Sequence, residues 1–366
     1  MQIIQKAKET MTPKERTRRT FNHEKTDRVT IGYETNDAIH MRLAKALGIN
    51  DGDLESVRQA LGVDYRGVPV NYVGKPLFEN VVNRIVDPVD GYRMRWIEHS
   101  SGGYWDFCDF PLKDAGDDDF NAYPIPSPDD FDYDLIYDFC KSQDHYAVHL
   151  GNAGVPDIIN SNGRIMSMED VFYHLFLGTE AVMDLINRRA AMNLSVMERI
   201  LDRCKGYVDF MWLGEDLGTQ IGPMISPETY RTFIKPIHKR FADLAKAYCL
   251  PVMIHTCGSS SWAYEDFIDI GITGVDTLQP EAVNMSPSYL KEHFGGRLCF
   301  RGCISTAGPL AYGSAEETDK VCRETLEIMM DGYGYHFAPT HQIQDNTPTE
   351  NVIAMYNAAH KYGVYQ

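Results

Sequence analysis

Apolar, β-branched runs recur along the chain with helix-like stretches between them. Eight such runs read as strands: 28–34 (RVTIGYE), 62–70 (GVDYRGVPV), 146–151 (YAVHLG), 210–216 (FMWLGED), 251–257 (PVMIHTC), 274–279 (GVDTLQ), 297–303 (RLCFRGC) and 335–341 (YHFAPTH). Several are apolar almost throughout, the mark of strands buried on both faces of a parallel sheet. Helix starts punctuate the intervals. Ser226 and Ser286 each precede a proline, an N-cap followed by the residue whose missing N–H costs nothing in the first turn. Ser314 with Glu317, and Thr347 with Glu350, have capping-box spacing. From Ser226 to Tyr248, apolar and aromatic residues fall at helical spacing, which predicts a helix packed on the sheet. Eight strands alternating with helices predict an α/β fold, a (β/α)8 barrel, with a doubly wound open sheet as the alternative.

Two segments break the alternation. Residues 91–107 place aromatic-rich arms on either side of Ser-Ser-Gly-Gly, the pattern of a β-hairpin inserted after the second strand. Residues 113–139 contain nine aspartates and three prolines and show no helical or strand period, so an acidic loop is expected there. No low-complexity linker divides the chain. The expectation is a single domain over 1–366 with an insertion at about 88–139.

Composition narrows the function. An apolar share of 43% and a charged share of 24% are those of a water-soluble globular protein. No apolar run reaches the ~18 residues that span a bilayer. The opening MQIIQKAKETMTPKERTRRTF is too polar for a signal peptide, and eight scattered cysteines suggest reduced thiols. A cytoplasmic protein without a membrane partner is expected. The formal charge of −17 argues against nucleic acid, which needs a basic face, and against a polyanionic substrate.

In a parallel barrel the chemistry gathers at the carboxyl ends of the strands. Those ends carry Glu34, Tyr72, Asn152, Glu215, Asp216, His255, Cys257, Gln279, Glu281, Cys303 and His341. His255 and Cys257 flank one residue, so an extended strand points both the same way, toward one ion. Zinc accepts imidazole and thiolate, and a catalytic zinc keeps three protein ligands and an open position. A third ligand must come from another strand end, where His341 and Cys303 are available, and Glu281 is a candidate for the fourth position. Tyr72, Tyr104, Trp105 and Trp212 are candidates to line a pocket for an aromatic ring, together with Glu34, Asn152, Glu215, Asp216 and Gln279 as substrate-binding groups.

The chain resembles the uroporphyrinogen decarboxylase superfamily, in particular its zinc-dependent methyltransferases that work with corrinoid proteins. The stretches MTPKERTRRTFNHEKTDRV, EDLGTQIGPMISPETYRTFIKPIHKRF followed by PVMIHTCGS, and FAPTHQIQDNTPTENVIAMYNA carry the likeness. The resemblance implies a distorted (β/α)8 barrel with zinc on a His-x-Cys pair, here His255 and Cys257, and a distant cysteine. That cysteine belongs to a Pro-Gly-Cys stretch which here reads Pro339-Thr340-His341. His341 is expected in its place, with Cys303 or loss of the metal as the alternatives. One thiolate and two imidazoles leave zinc a stronger Lewis acid than two thiolates and one imidazole, which suits an oxygen leaving group.

The implied activity is O-demethylation of a methylated small molecule, a methyl ether, with transfer of the methyl group to Co(I) of a separate corrinoid (cobalamin) protein. Transfer from methyl-corrinoid to a thiol of the coenzyme M type is the alternative direction. Decarboxylation of a porphyrinogen fits poorly, because the stretch after the first strand, GYETNDAIH, offers no arginine, and DYRGVPVNYVG lacks the expected aspartate context. A non-catalytic small-molecule-binding barrel is a further alternative, and a homodimer is compatible with all of these.

Overall fold

The computed structural model describes residues 3–50, 52–99 and 102–366. Eight parallel strands form the central sheet: β1 (Thr30–Ile31), β2 (Tyr65–Gly67), β6 (Ala147–Pro156), β7 (Phe210–Gly214), β8 (Val252–His255), β9 (Gly274–Leu278), β10 (Cys299–Ile304) and β11 (Tyr335–Pro339). They lie in the order β1-β11-β10-β9-β8-β7-β6-β2, with helices in the connections, a nearly closed (β/α)8 barrel. Each coincides with one of the eight apolar runs. Many of their residues are fully buried, since helices cover the outer face and side chains fill the lumen.

The barrel closes differently between β1 and β2. Among the described residues no strand ladder joins them; Asp64 bridges the seam instead. Its N–H donates to the Ile31 carbonyl at 3.0 Å, and its carboxylate accepts the Ile31 N–H at 2.7 Å. Arg28 Nη1 donates to the same carboxylate at 2.7 Å, and Arg16 pairs with its other oxygen. All three side chains are buried, so the charges compensate one another out of water. The helix Pro13–Phe21, which carries Arg16, closes the amino-terminal end of the barrel, where Phe21 packs on Phe210 and His336 at ring distances of 5.0 and 4.8 Å.

The insertion follows β2 as expected. Strands β3 (Ile85–Val86), β4 (Arg93–His99) and β5 (Gly102–Cys108) form a separate antiparallel sheet, with Trp96 opposite Trp105. Ser100 and Ser101, expected from the sequence between the hairpin's arms, lie outside the described residues. The acidic stretch is not the irregular loop its composition suggests. It holds the helices Asp117–Ala122 and Tyr133–Ser142, and aspartates serve as helix starters: Asp132 accepts the Leu135 N–H at 2.9 Å. Ile136 and Cys140, four apart, bury the second helix.

The caps at Ser226, Ser286 and Ser314 form as predicted. The one at Thr347 does not: the helix Thr349–Tyr362 starts after Pro348, and Thr347 Oγ1 is buried without a hydrogen-bond partner among the described residues. The helix predicted from Ser226 to Tyr248 is continuous but widened by a π-turn at Tyr230–Ile234 before Lys235–Ala247. Pro236 has no N–H to continue the ladder, and the Lys235 N–H reaches back to the Tyr230 carbonyl.

Candidate metal centre

β8 ends in His255, and the chain turns sharply three residues later. Gly258 makes that turn, with φ of 67°, and a Cβ there would lie 2.4 Å from the Gly218 carbonyl oxygen. The Gly258 N–H donates to Gln279 Oε1 at 2.7 Å, and the Cys257 N–H donates to Asp216 Oδ1 at 3.0 Å. Cys257 is thereby turned back toward His255, with Sγ 3.4 Å from Nε2. His341, just past β11, completes the group, and the donor atoms of His255, Cys257 and His341 all lie within 4.8 Å of one another.

The other face of the His255 ring is fixed by β9. Parallel pairing sets Asp276 opposite His255. Nδ1 lies 3.1 Å from Asp276 Oδ2 and 2.6 Å from Thr277 Oγ1. Thr277 takes φ of 63°, an unusual conformation for a β-branched residue, next to a register shift between β9 and β10. Asp276 is in turn paired with Arg301, which lies over the Trp212 ring at 4.5 Å. Burial pushes the Asp276 carboxyl up, but Arg301 and His255 outweigh it and hold the pKa at about 2. Burial also opposes charge on His255, yet Asp276 and Cys257 hold its pKa well above the ordinary range. Burial raises the Cys257 thiol to about 11, against the pull of His255.

This donor set suits zinc. Two imidazoles and one thiol are ordinary zinc ligands, and donors on a tetrahedral zinc sit about 3.3–3.8 Å apart, which the His255–Cys257 spacing of 3.4 Å matches. A carboxylate holding the far nitrogen of a ligating histidine is the usual outer partner of such a site.

The cluster opens into a cavity of about 950 Å³ at the carboxyl ends of the strands. Glu34, Asn152, Trp212 and Asp216, all expected at the site, line it beside His255 and His341. The other candidates fall elsewhere. Glu281 takes the Ser305 hydroxyl, and Asp216, 3.8 Å from His255 Nε2, is the carboxylate beside the cluster. Cys303 is buried in the apolar core, where burial raises its pKa, and it is not among the clustered donors. Glu215 is fully buried and accepts the Ile158 and Ile159 N–H groups at 2.8 and 2.9 Å, so it caps a helix instead of facing the cavity. Gln279 shapes the turn after Cys257. Tyr72 packs on Phe131 and donates to the Lys75 carbonyl. Trp105 pairs with Trp96 on the inserted sheet, and neither it nor Tyr104 is among the cavity-lining residues.

Asp276, Thr277 and Arg301 escaped sequence reasoning. The available signal was an aspartate inside an otherwise apolar strand, where a charge needs a buried partner.

A parallel barrel with a His-Cys-His cluster at the carboxyl ends of its strands defines the class of protein: a (β/α)8 barrel with a metal-compatible centre. The sequence profile described as uroporphyrinogen decarboxylase (URO-D) matches residues 165–362, more than half of the chain and inclusive of all three clustered residues, and the chain belongs to that family. Among solved structures, one titled a methyltransferase from Methanosarcina mazei superposes with a TM-score of 0.63 at 16% identity, covering 95% of this chain and 98% of that one. Dispersin B gives a TM-score of 0.40 at 9% identity over 92% of this chain and 99% of its own, too distant to carry an argument. A comparison with curated protein sequences returns no match. No helix among the described residues is long and apolar enough to cross a membrane.

Proposed function

We propose that this barrel, acting as one unit, is a zinc-dependent methyltransferase that takes a methyl group from a small methylated molecule, a methyl ether, and passes it to the cobalt of a separate corrinoid protein. The observation that carries the reading is the convergence of His255, Cys257 and His341 on one point at the cavity wall. Family membership and the fold shared with the Methanosarcina mazei methyltransferase support it.

When bound, zinc supplies Lewis acidity toward the heteroatom that carries the methyl group, more strongly with one thiolate and two imidazoles than with two thiolates. The protein's own groups prepare that site. Asp276 and Thr277 hold His255 Nδ1, which leaves Nε2 as the face turned to Cys257. Asp216 fixes the Cys257 backbone and receives Asn160 Nδ2 at 3.0 Å, so the loop after β7 and the helix after β6 are both tied to the centre. Tyr65, His149 and Trp212 offer an aromatic wall to a bound ring. The missing second thiolate disfavours the reverse transfer onto a thiol. The carboxylates Glu34 and Asp37 in the cavity wall disfavour a polycarboxylate such as a porphyrinogen.

The test is methylcobalamin formation, followed by absorbance, from methyl ethers and chemically reduced cobalamin with zinc-loaded protein. Transfer that requires zinc and is lost on chelation and in His341→Ala is expected. Stoichiometric zinc without transfer from any donor would move the protein to a non-catalytic binding role, and full zinc occupancy in His341→Ala would remove that histidine from the ligand set.

A further inference from the structure

One corner of the cavity gathers a phenol, an imidazole and a guanidinium. The chain leaving β1 supplies Tyr33, the helix Asp37–Leu47 supplies His40, and the helix Leu54–Leu61 supplies Arg58; all three line the cavity that also holds His255 and His341. Tyr33 Oη lies 3.2 Å from His40 Nδ1. His40 is only 9% exposed, and its Nε2 has no hydrogen-bond partner among the described residues. An unpaired buried polar atom is costly and asks for a partner.

Arg58 is partly buried and makes no ion pair among the described residues. The neighbouring carboxylate, Glu55, is already engaged: Arg66 donates to its two oxygens at 2.8 and 2.9 Å, and Gln59 donates at 2.9 Å. Burial first, and then the nearby Arg66, lower the Arg58 pKa, with Glu55 and Tyr33 opposing. A guanidinium in that position gains from a planar anion that it can grip through two N–H groups. Elsewhere the wall carries the carboxylates Glu34, Asp37 and Asp216, with Arg164 as its other guanidinium.

We propose that Arg58, with His40 and Tyr33, seats a carboxylate of the methyl donor, so that the substrates are small methoxylated acids. Arg58 supplies the counter-charge. Tyr33 donates its O–H to His40 Nδ1, which leaves the proton on Nε2 as a second donor to the carboxylate. The protein's net charge of −17 argues against a polyanion but not against one carboxylate met by a local guanidinium. This inference rests on reading the cavity as the methyl donor's site.

Calorimetric titration of zinc-loaded protein with 4-methoxybenzoate and with 4-methoxybenzamide tests it, because the two probes differ chiefly in charge. The acid is expected to bind at least about tenfold tighter, the Arg58→Gln variant to lose that preference, and Arg58→Lys to keep part of it. Zinc content equal to that of the unaltered protein controls for folding of each variant. Equal binding of the two probes, binding of neither, or a preference that survives Arg58→Gln overturns the proposal. The titration involves no corrinoid and no transfer, so the two readings fail separately. A charge preference without methyl transfer sinks the methyltransferase; transfer from neutral ethers without a charge preference sinks only the anion seat.

Discussion

At the scale of single residues, the centre is a set of protons waiting to be displaced. Cys257, raised to about 11, and His255, held well above its ordinary range, are both protonated at neutral pH, and each must lose a proton to ligate a metal. Zinc binding should therefore release about two protons, and apparent affinity should rise about a hundredfold per pH unit while both groups remain protonated. The sign is fixed: acid weakens binding and base strengthens it. Competition against a chromogenic chelator between pH 6 and 8, repeated in buffers of different ionisation enthalpy, measures both quantities, and a flat profile would contradict the proton assignment. The two ligands on β8 were legible in the sequence because alternation along a strand needs no tertiary knowledge. Asp276 was not, because its role arises from parallel register with β8, and register between strands some twenty residues apart is not written in either strand.

Elements explain the residues that were misplaced. Glu215 stands at the end of an apolar strand, as a substrate ligand would, but the structure spends it on a neighbouring helix. It accepts two N–H groups at the start of Ile158–Met166 and lies 3.3 Å from His238 Nε2. Burial, with Asp216 adding, raises its pKa to about 8, and burial lowers His238 to about 3. Near neutrality the carboxyl thus keeps its proton and donates it to His238. Glu215→Gln retains a donor and an acceptor and should cost about 1 kcal/mol, one ordinary hydrogen bond. Glu215→Leu strands two buried N–H groups at about 1–3 kcal/mol each and should cost about 2–6 kcal/mol. Urea unfolding of the two variants checks the contrast; equal costs would show that shape, not hydrogen bonding, sets the requirement. The same competition between local signal and context hid the helices of the acidic stretch. Aspartates that lower helix propensity in the interior favour it at the N-cap, and composition alone does not distinguish the two.

For the whole molecule, the order of the strands separates stability from chemistry. The clustered residues stand at or just past the ends of β8 and β11, which belong to the uninterrupted run from β1 to β2 through β11 and β8. The seam between β1 and β2 depends on Asp64 and its two arginines. Eight strands in alternation were enough to expect a barrel, yet nothing in the sequence said where its sheet would be interrupted. The apolar pattern is the same at the seam as elsewhere, and only the meeting of Asp64 with Arg16 and Arg28, distant in the chain, reveals it. Asp64→Asn removes the buried carboxylate that both guanidiniums share, leaving Arg16 on Asp27 and Arg28 on Glu9, and should cost about 3 kcal/mol, the low end for a broken buried pair. Because β8, β9 and β11 keep their own ladders, the folded fraction should bind zinc with unchanged affinity. Denaturant unfolding reads the first effect and chelator competition below the transition reads the second. A variant that lost zinc affinity in step with stability would show that closure of the seam holds the centre together.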